Sequence, residues 1–190
     1  RHDFVGWDDG MLVYNNPAVQ QITPTSVKWV FTHFDPELYI PLTFLTYQFD
    51  YAVGGGSALP FHLGNIILHT LNALLAAWAL YSLSGKRWLA LACGAVFLLH
   101  PLNTEAVDWV SARKDTLSTF FFLASLLLYL RWRDNPWPKT MFWSVACFAL
   151  ALMAKVMVVT LPVILIGLDL AQGRKLSWQL IKEKVWYLAL

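Results

Sequence analysis

The sequence holds only two cysteines, and only 14% of its residues are charged. Cys93 and Cys147 both sit inside apolar runs, where a free thiol behaves as a small hydrophobe. Neither a disulfide framework nor a cysteine metal motif is therefore expected. A net charge of +2 gives no ground for a nucleic-acid partner, and none is expected. Also missing are HExxH, GxSxG, a Walker loop and GxGxxG, which removes the zinc-protease, serine-hydrolase, P-loop and dinucleotide classes. There is no internal repeat and no low-complexity tract. The chain does not open on Met and ends inside an apolar run, so it is expected to be an excerpt whose missing leader or soluble tail carries no weight.

What is present is apolar surface: 57% hydrophobic residues, ten tryptophans and a mean hydropathy of +0.50. Those values place the chain among membrane proteins. Apolar runs at 61–83, 88–100, 116–130, 140–154 and 156–170 give about five crossings of a ~30 Å hydrocarbon core, the second near the lower length limit. The segments at 84–88, at 131–139 and after 170, with Asp169 at the end of the last run counted among them, carry nine basic and three acidic residues, and the remaining segments five basic and nine acidic. By the positive-inside rule the basic segments are cytoplasmic. The long segment at 1–60 and the loop at 100–115 then share the outer face.

Residues 1–60 are too polar and too rich in proline to span. They alternate amphipathic pieces such as "SVKWVFTHF" with turn chemistry at "NNP", "TPT", "DPE" and "GGG", and they read as an outer loop with short amphipathic helices, followed by a helical bundle over 61–190.

Three features carry candidate chemistry. Asp8 and Asp9 are adjacent carboxylates, able to supply a base or to hold a divalent cation, although alone the pair fits a solvated turn or helix cap better. The loop "HPLNTEAVDWVSARKD" (100–115) crowds His100, Glu105, Asp108, Arg113, Lys114 and Asp115 between apolar runs. Its histidine and glutamate can pass protons or bind metal, and its bases can hold a phosphate. It fits a plain hairpin loop equally well. Third, His62, Asn65, His69 and Asn72 fall on one helix face and must look toward other helices or a wet cavity rather than lipid. For the last three, interhelical hydrogen bonding is the favoured role. Lys155 interrupts the fourth and fifth runs at an outer helix end, where it either snorkels or meets a lipid phosphate. Pro162 is expected to kink or end a helix.

Four blocks, "WDDGMLVYNNPAV" (7–19), "FHLGNIILHTLNALL" (61–75), "HPLNTEAVDWVSARKD" (100–115) and "MAKVMVVTLPVILIGLD" (153–169), resemble the GT-C-type membrane glycosyltransferases that carry tetratricopeptide tails, among them the O-mannosyltransferases that target cadherins and their bacterial relatives. Two departures stand out: Ile40 before Pro41-Leu42, where relatives often carry a charged residue or histidine, and Val156 after Lys155, where they often carry proline. The resemblance implies an all-α, polytopic transmembrane bundle of GT-C type, further spans beyond both ends and a tetratricopeptide region. It also implies sugar transfer, with mannose a candidate, from a polyprenyl-phosphate donor to a protein hydroxyl or glycan, with inversion. Asp8 would be the general base, with Asp9 orienting it or, with Glu105, binding a divalent Mg or Mn ion. His100 and Glu105 would complete the catalytic set. Arg113, Lys114 and Lys155 would hold the donor phosphate, with Asp108, Asp115, His62 and Asn65 in support. The expected setting is a bacterial cytoplasmic membrane with a periplasmic site, the endoplasmic reticulum being the alternative. The rival readings are a lipid-linked sugar flippase, with the polar stripe lining its passage, and an inactive scaffold for a tetratricopeptide tail.

Overall fold

The computed structural model describes residues 3–4, 6–34 and 38–190; Arg1 and the "DPE" turn at 35–37 lie outside the described residues. Within them the chain is all-α. A π-helical turn, Gly10–Tyr14, precedes α1 (Pro24–Thr32), α2 (Pro41–Gly54), α3 (Leu59–Ser84) and α4 (Arg87–Leu99). The loop that follows is itself helical: a 3-10 turn Pro101–Asn103, the short α5 (Thr104–Asp108) and a second 3-10 turn Val110–Ala112. Then come α6 (Arg113–Asp134), α7 (Pro138–Ala154), a 3-10 turn Val156–Thr160, α8 (Leu161–Ala171), α9 (Trp178–Lys182) and α10 (Val185–Leu188).

Proline sets many of the starts. Pro24, Pro41, Pro60, Pro138 and Pro162 all occupy the first turn of a helix, where a missing N–H costs nothing. Pro162 therefore opens α8 rather than kinking it, and the break lies just ahead of it in the 3-10 turn. Gly85, at φ 67°, ends α3 in the left-handed conformation. Small residues let α3 and α4 approach closely: a Cβ added at Gly94 would stand 2.8 Å from the Ala77 methyl.

One described helix, α3, is long and apolar enough to cross a membrane, and two if Arg87–Leu99 and Pro101–Asp108, bent by 52°, are counted together. The expected set of about five spans is not reproduced at that level. The reasons are local: α6 is charged at both ends, α7 has only 17 residues, and the 156–170 run is broken by the 3-10 turn. In α3 the packing is inverted relative to a water-soluble helix. His62, Asn65, His69 and Asn72 are buried, while Leu63, Ile66, Ile67, Leu74 and Trp78 are exposed. Only 22% of its most apolar stretch is covered by protein. Asn65 donates to the Trp109 carbonyl (2.9 Å) and Asn72 to that of Thr116 (2.8 Å), while His69 Nε2 lies 3.2 Å from the Leu98 carbonyl. Three of the four stripe residues, Asn65, His69 and Asn72, are thus engaged with backbone carbonyls of neighbouring elements.

Residues of the first 60 are no mere surface loop. Leu12, Val13, Val19, Val30, Ile40, Phe44 and Tyr47 form a core with Phe61 and Val110, and the Tyr47 hydroxyl donates to the Val110 carbonyl (3.1 Å). A second core joins Ala79, Tyr129, Leu130, Phe148, Leu161, Leu165 and Tyr187 at the other end.

Arg113 ties the first end together. Its Nη2 donates to the Phe61 carbonyl (2.6 Å) and pairs with Asp50 (2.8 Å), its Nε donates to Asn65 Oδ1, and its side chain is 3% exposed. The guanidinium is taken up by α2 and α3, which corrects its expected place on a donor phosphate. Burial pushes the Asp50 carboxyl above the usual carboxylate range, and the charge and hydrogen bond of Arg113 offset this only in part. Removing the arginine would strand a buried acid, at a cost of about 3–5 kcal/mol.

The far end carries a buried charge cluster that no sequence pattern announced. Asp169, fully buried, accepts from Tyr129 (2.5 Å), Lys184 (2.5 Å) and Arg174 (3.0 Å), with Arg133 at 3.6 Å. Arg174 also pairs with Glu183 (2.8 Å). Burial raises the Glu183 carboxyl, but hydrogen bonds from Arg174 and Lys184 outweigh it and hold the group below its ordinary value. Asp115 and Asp169, near opposite ends of adjoining helices, put the two charged ends about 30 Å apart at ~1.5 Å per residue along α6.

A Cβ at Gly64 falls inside contact distance of Arg113 Nη2, and that nitrogen is already held by the Phe61 carbonyl and Asp50. Gly64→Ala should lower stability by about 1–3 kcal/mol, although alanine is the better helix former by about 1 kcal/mol. Thermal unfolding in detergent checks this, with Gly56→Ala, which meets nothing within 4 Å, as the neutral control. The Glu183 contribution should be complete above pH 4.5, the ordinary glutamate value, and lost as pH falls through its lower folded value. In acid titrations followed by tryptophan fluorescence, Glu183→Gln should remove that part of the pH dependence.

Candidate functional site

The site grows from the first turn of the chain. Asp9 begins the π-helical turn but does not cap it. Instead its Oδ1 accepts the Ser111 backbone N–H (2.8 Å) and the Ser111 hydroxyl, and the carboxylate is fully buried. That pair of bonds fastens the N-terminal segment to the 3-10 turn leading into α6. A π-helical turn widens the backbone locally and is often found at functional positions; here it leaves the two neighbouring acids facing different surroundings.

Asp8 remains half exposed, at 49%, and its carboxylate lies 4.0 Å from the Lys114 ammonium. Lys114 Nζ stands 5.6 Å from the centre of the Trp109 ring, within cation–π range. Trp7 packs perpendicular to Trp109 at 6.0 Å and is 74% exposed. Asp8, Lys114, Trp7 and Trp109 are thus one cluster, and Asp9, Ser111 and Arg113 are the groups that fix it.

Lys155, at the end of α7, forms an ion pair with Asp115. Both line a cleft of about 410 Å³ that continues between Phe97, Phe122, Leu123, Met157 and Val158. A charged mouth over an apolar floor suits a molecule with a polar head and a hydrocarbon tail.

Other expected residues are placed elsewhere. His100 is exposed, and its Nδ1 accepts from the Leu102 N–H (3.2 Å) at the start of the 3-10 turn. Glu105 and Asp108, on α5, are exposed and take part in no ion pair among the described residues. His62 lines a different cleft, with Asp3, Phe4 and Ser57. Asn65 supports the site through Arg113. The expected metal pair is not part of a larger ligand set: Asp9 Oδ1 already accepts from Ser111, and no group of three or more His, Cys, Asp or Glu converges among the described residues.

Ser111, Asp50 and Trp109 were not foreseen. Asp50 left a signal, as the one acid in the apolar run "PLTFLTYQFDYAVG" of α2. Ser111 and Trp109 left none, because a serine and a tryptophan in a polar loop are unremarkable until the fold brings Asp9 and Lys114 to them.

No family model matches the chain, and no solved structure matches it. It is 34% identical to protein O-mannosyl-transferase Tmtc2 of Drosophila melanogaster over 152 residues, 76% of this chain and 16% of that protein. It is 32% identical to human protein O-mannosyl-transferase TMTC4 over 151 residues, 68% of this chain and 20% of the relative. With human protein O-mannosyl-transferase TMTC1 the identity is 32% over 140 residues, 67% of this chain and 16% of the relative. The chain thus spans about a sixth to a fifth of the length of these curated relatives. All three are animal proteins, so the expectation of a bacterial membrane draws no support from them. Over most of its own length the chain is a homologue of proteins named protein O-mannosyl-transferase, matching a minor segment of each.

Proposed function

We propose that this segment belongs to a membrane glycosyltransferase of GT-C type that moves a hexose, mannose by analogy with the names of its relatives, from a polyprenyl phosphate to a hydroxyl acceptor. The observation that carries the reading is the pairing of a half-exposed acid, Asp8, with a cation, Lys114, at the polar end of an inside-out helix. The bent α4–α5 pair, α6, α7 and the 156–171 stretch join α3 as membrane-crossing elements of that reading.

The step needs a proton removed and a phosphate leaving group stabilised. Asp8 takes the proton from the acceptor hydroxyl. The hydroxyl oxygen attacks the anomeric carbon, the bond from that carbon to the phosphate oxygen breaks, and the phosphate leaves with the electron pair. A single displacement inverts the anomeric centre. Asp9 holds the Asp8 segment in place through Ser111. Lys114 and Lys155 meet the phosphate charge, and the prenyl tail lies along the Phe122–Leu123–Met157 cleft. Asp115, now paired with Lys155, yields to the incoming phosphate. No step is assigned to a metal ion.

The flippase reading, in which the His/Asn stripe and Lys155 line a passage, is the less favoured one because Asn65, His69 and Asn72 are engaged with carbonyls.

The test is sugar transfer by the full-length protein in detergent, with the anomeric configuration of the product determined. Asp8→Asn should lower kcat by about 100-fold or more with little change in donor KM. Lys114→Ala should raise donor KM. Wild-type turnover in Asp8→Asn, or recovery of the donor with its sugar–phosphate bond intact, rules the reading out.

A further inference from the structure

Trp109 carries an anomaly. Its indole Nε1–H is shielded from solvent and meets no hydrogen-bond acceptor among the described residues. An unmade buried hydrogen bond of this kind costs about 1–3 kcal/mol. The residue is not loosely held, since its backbone carbonyl accepts from Asn65 and its backbone N–H donates to the Glu105 carbonyl (3.1 Å). A donor kept unpaired on a fixed backbone is poised for an acceptor brought from outside.

What surrounds it defines that acceptor. Lys114 Nζ lies over the Trp109 ring, Asp8 lies beside Lys114, and the exposed Trp7 ring stands perpendicular against Trp109. Two indole faces, an unsatisfied N–H, a carboxylate and an ammonium are complementary to a pyranose, which has an apolar C–H face and hydroxyls that both donate and accept. If Lys114 meets the phosphate, the group bonded to that phosphate lands on Trp109.

We propose that Trp109 and Trp7 form the subsite for the hexose of the lipid-linked donor. Trp109 Nε1–H donates to a sugar hydroxyl, and Trp7 swings off its neighbour to admit the ring and then stacks on it. This rests on the glycosyltransferase reading and specifies which part of the donor its site recognises. Both residues contact substrate in this assignment without taking a proton or an electron pair.

The experiment measures binding of two probes to full-length protein in detergent: a short-chain polyprenyl phosphate, and the same lipid carrying a hexose. Wild type should bind both. Trp109→Phe keeps an aromatic ring but deletes the N–H together with the rest of the pyrrole ring. It should bind the hexose-bearing lipid about fivefold to tenfold more weakly and bind the bare lipid as wild type does, a split that a merely destabilised fold would not give. Trp7→Ala, at an exposed position, should likewise weaken only the hexose-bearing lipid without lowering the unfolding temperature. In turnover, both variants should raise donor KM more than they lower kcat. If both variants keep wild-type affinity for the hexose-bearing lipid while wild type binds both probes, the subsite is overturned and the glycosyltransferase reading stands. If wild type binds neither probe, both are overturned together.

Discussion

The buried guanidinium of Arg113 is the contact on which the rest of this end depends. It starts α6, pairs with Asp50 on α2 and bonds to Asn65 and the Phe61 carbonyl on α3. Three helices are thereby referred to one planar, always charged group. Ser111, two residues before it, receives Asp9, and Lys114, the residue after it, faces Asp8. Without the anchor the start of α6 would lose its ties to Asp50 and the Phe61 carbonyl, and the 3-10 turn at 110–112 would be held by Tyr47 and Asp9 alone. Gly64 fits the same constraint: the position opposite the guanidinium has no room for a Cβ.

The second organising fact is the inversion of polarity along α3. Its histidines and asparagines face inward and are matched to carbonyls, while leucine, isoleucine and tryptophan face outward. In water such an arrangement would expose a broad apolar patch; in lipid it is the stable choice, because inward polar groups find partners and outward ones would not. Charge is accordingly concentrated at the ends. Asp8, Asp50, Arg113, Lys114, Asp115 and Lys155 gather at one, and Arg133, Asp169, Arg174, Glu183 and Lys184 at the other. Both gatherings join residues far apart in sequence, and both agree with the division of acidic and basic segments along the chain.

The two charged ends differ in character. Around Asp169 the groups are joined in one ion-paired network about a fully buried carboxylate, with Asp169 Oδ1 and Arg133 Nη1 held 3.6 Å apart, which suits a clamp that docks 174–188 onto α6 and α8. Around Asp8 the groups are partly exposed and less completely matched: Asp8 is half open, Lys114 reaches it only at 4.0 Å, and the Trp109 N–H has no acceptor. Incomplete matching at a partly open cluster is what a ligand can complete, and it is the physical reason for placing chemistry at this end.

Legible in the residues alone were the helical runs, the inward-facing stripe on α3 and the grouping of acidic and basic segments. All of these are local, since periodicity and charge counts need no partner. The sequence also pointed to Asp8–Asp9 and to Lys114, but it assigned Arg113 and Lys114 the same role. Only the tertiary structure separated them, burying one against Asp50 and Asn65 and turning the next toward Asp8. It alone joined Asp9 to Ser111, Lys155 to Asp115 and Asp169 to Lys184, and it left His100 and Glu105 without a contact to the acidic pair. Adjacent residues at the start of a helix point about 100° apart, so which becomes anchor and which faces the site is decided by what packs on either side.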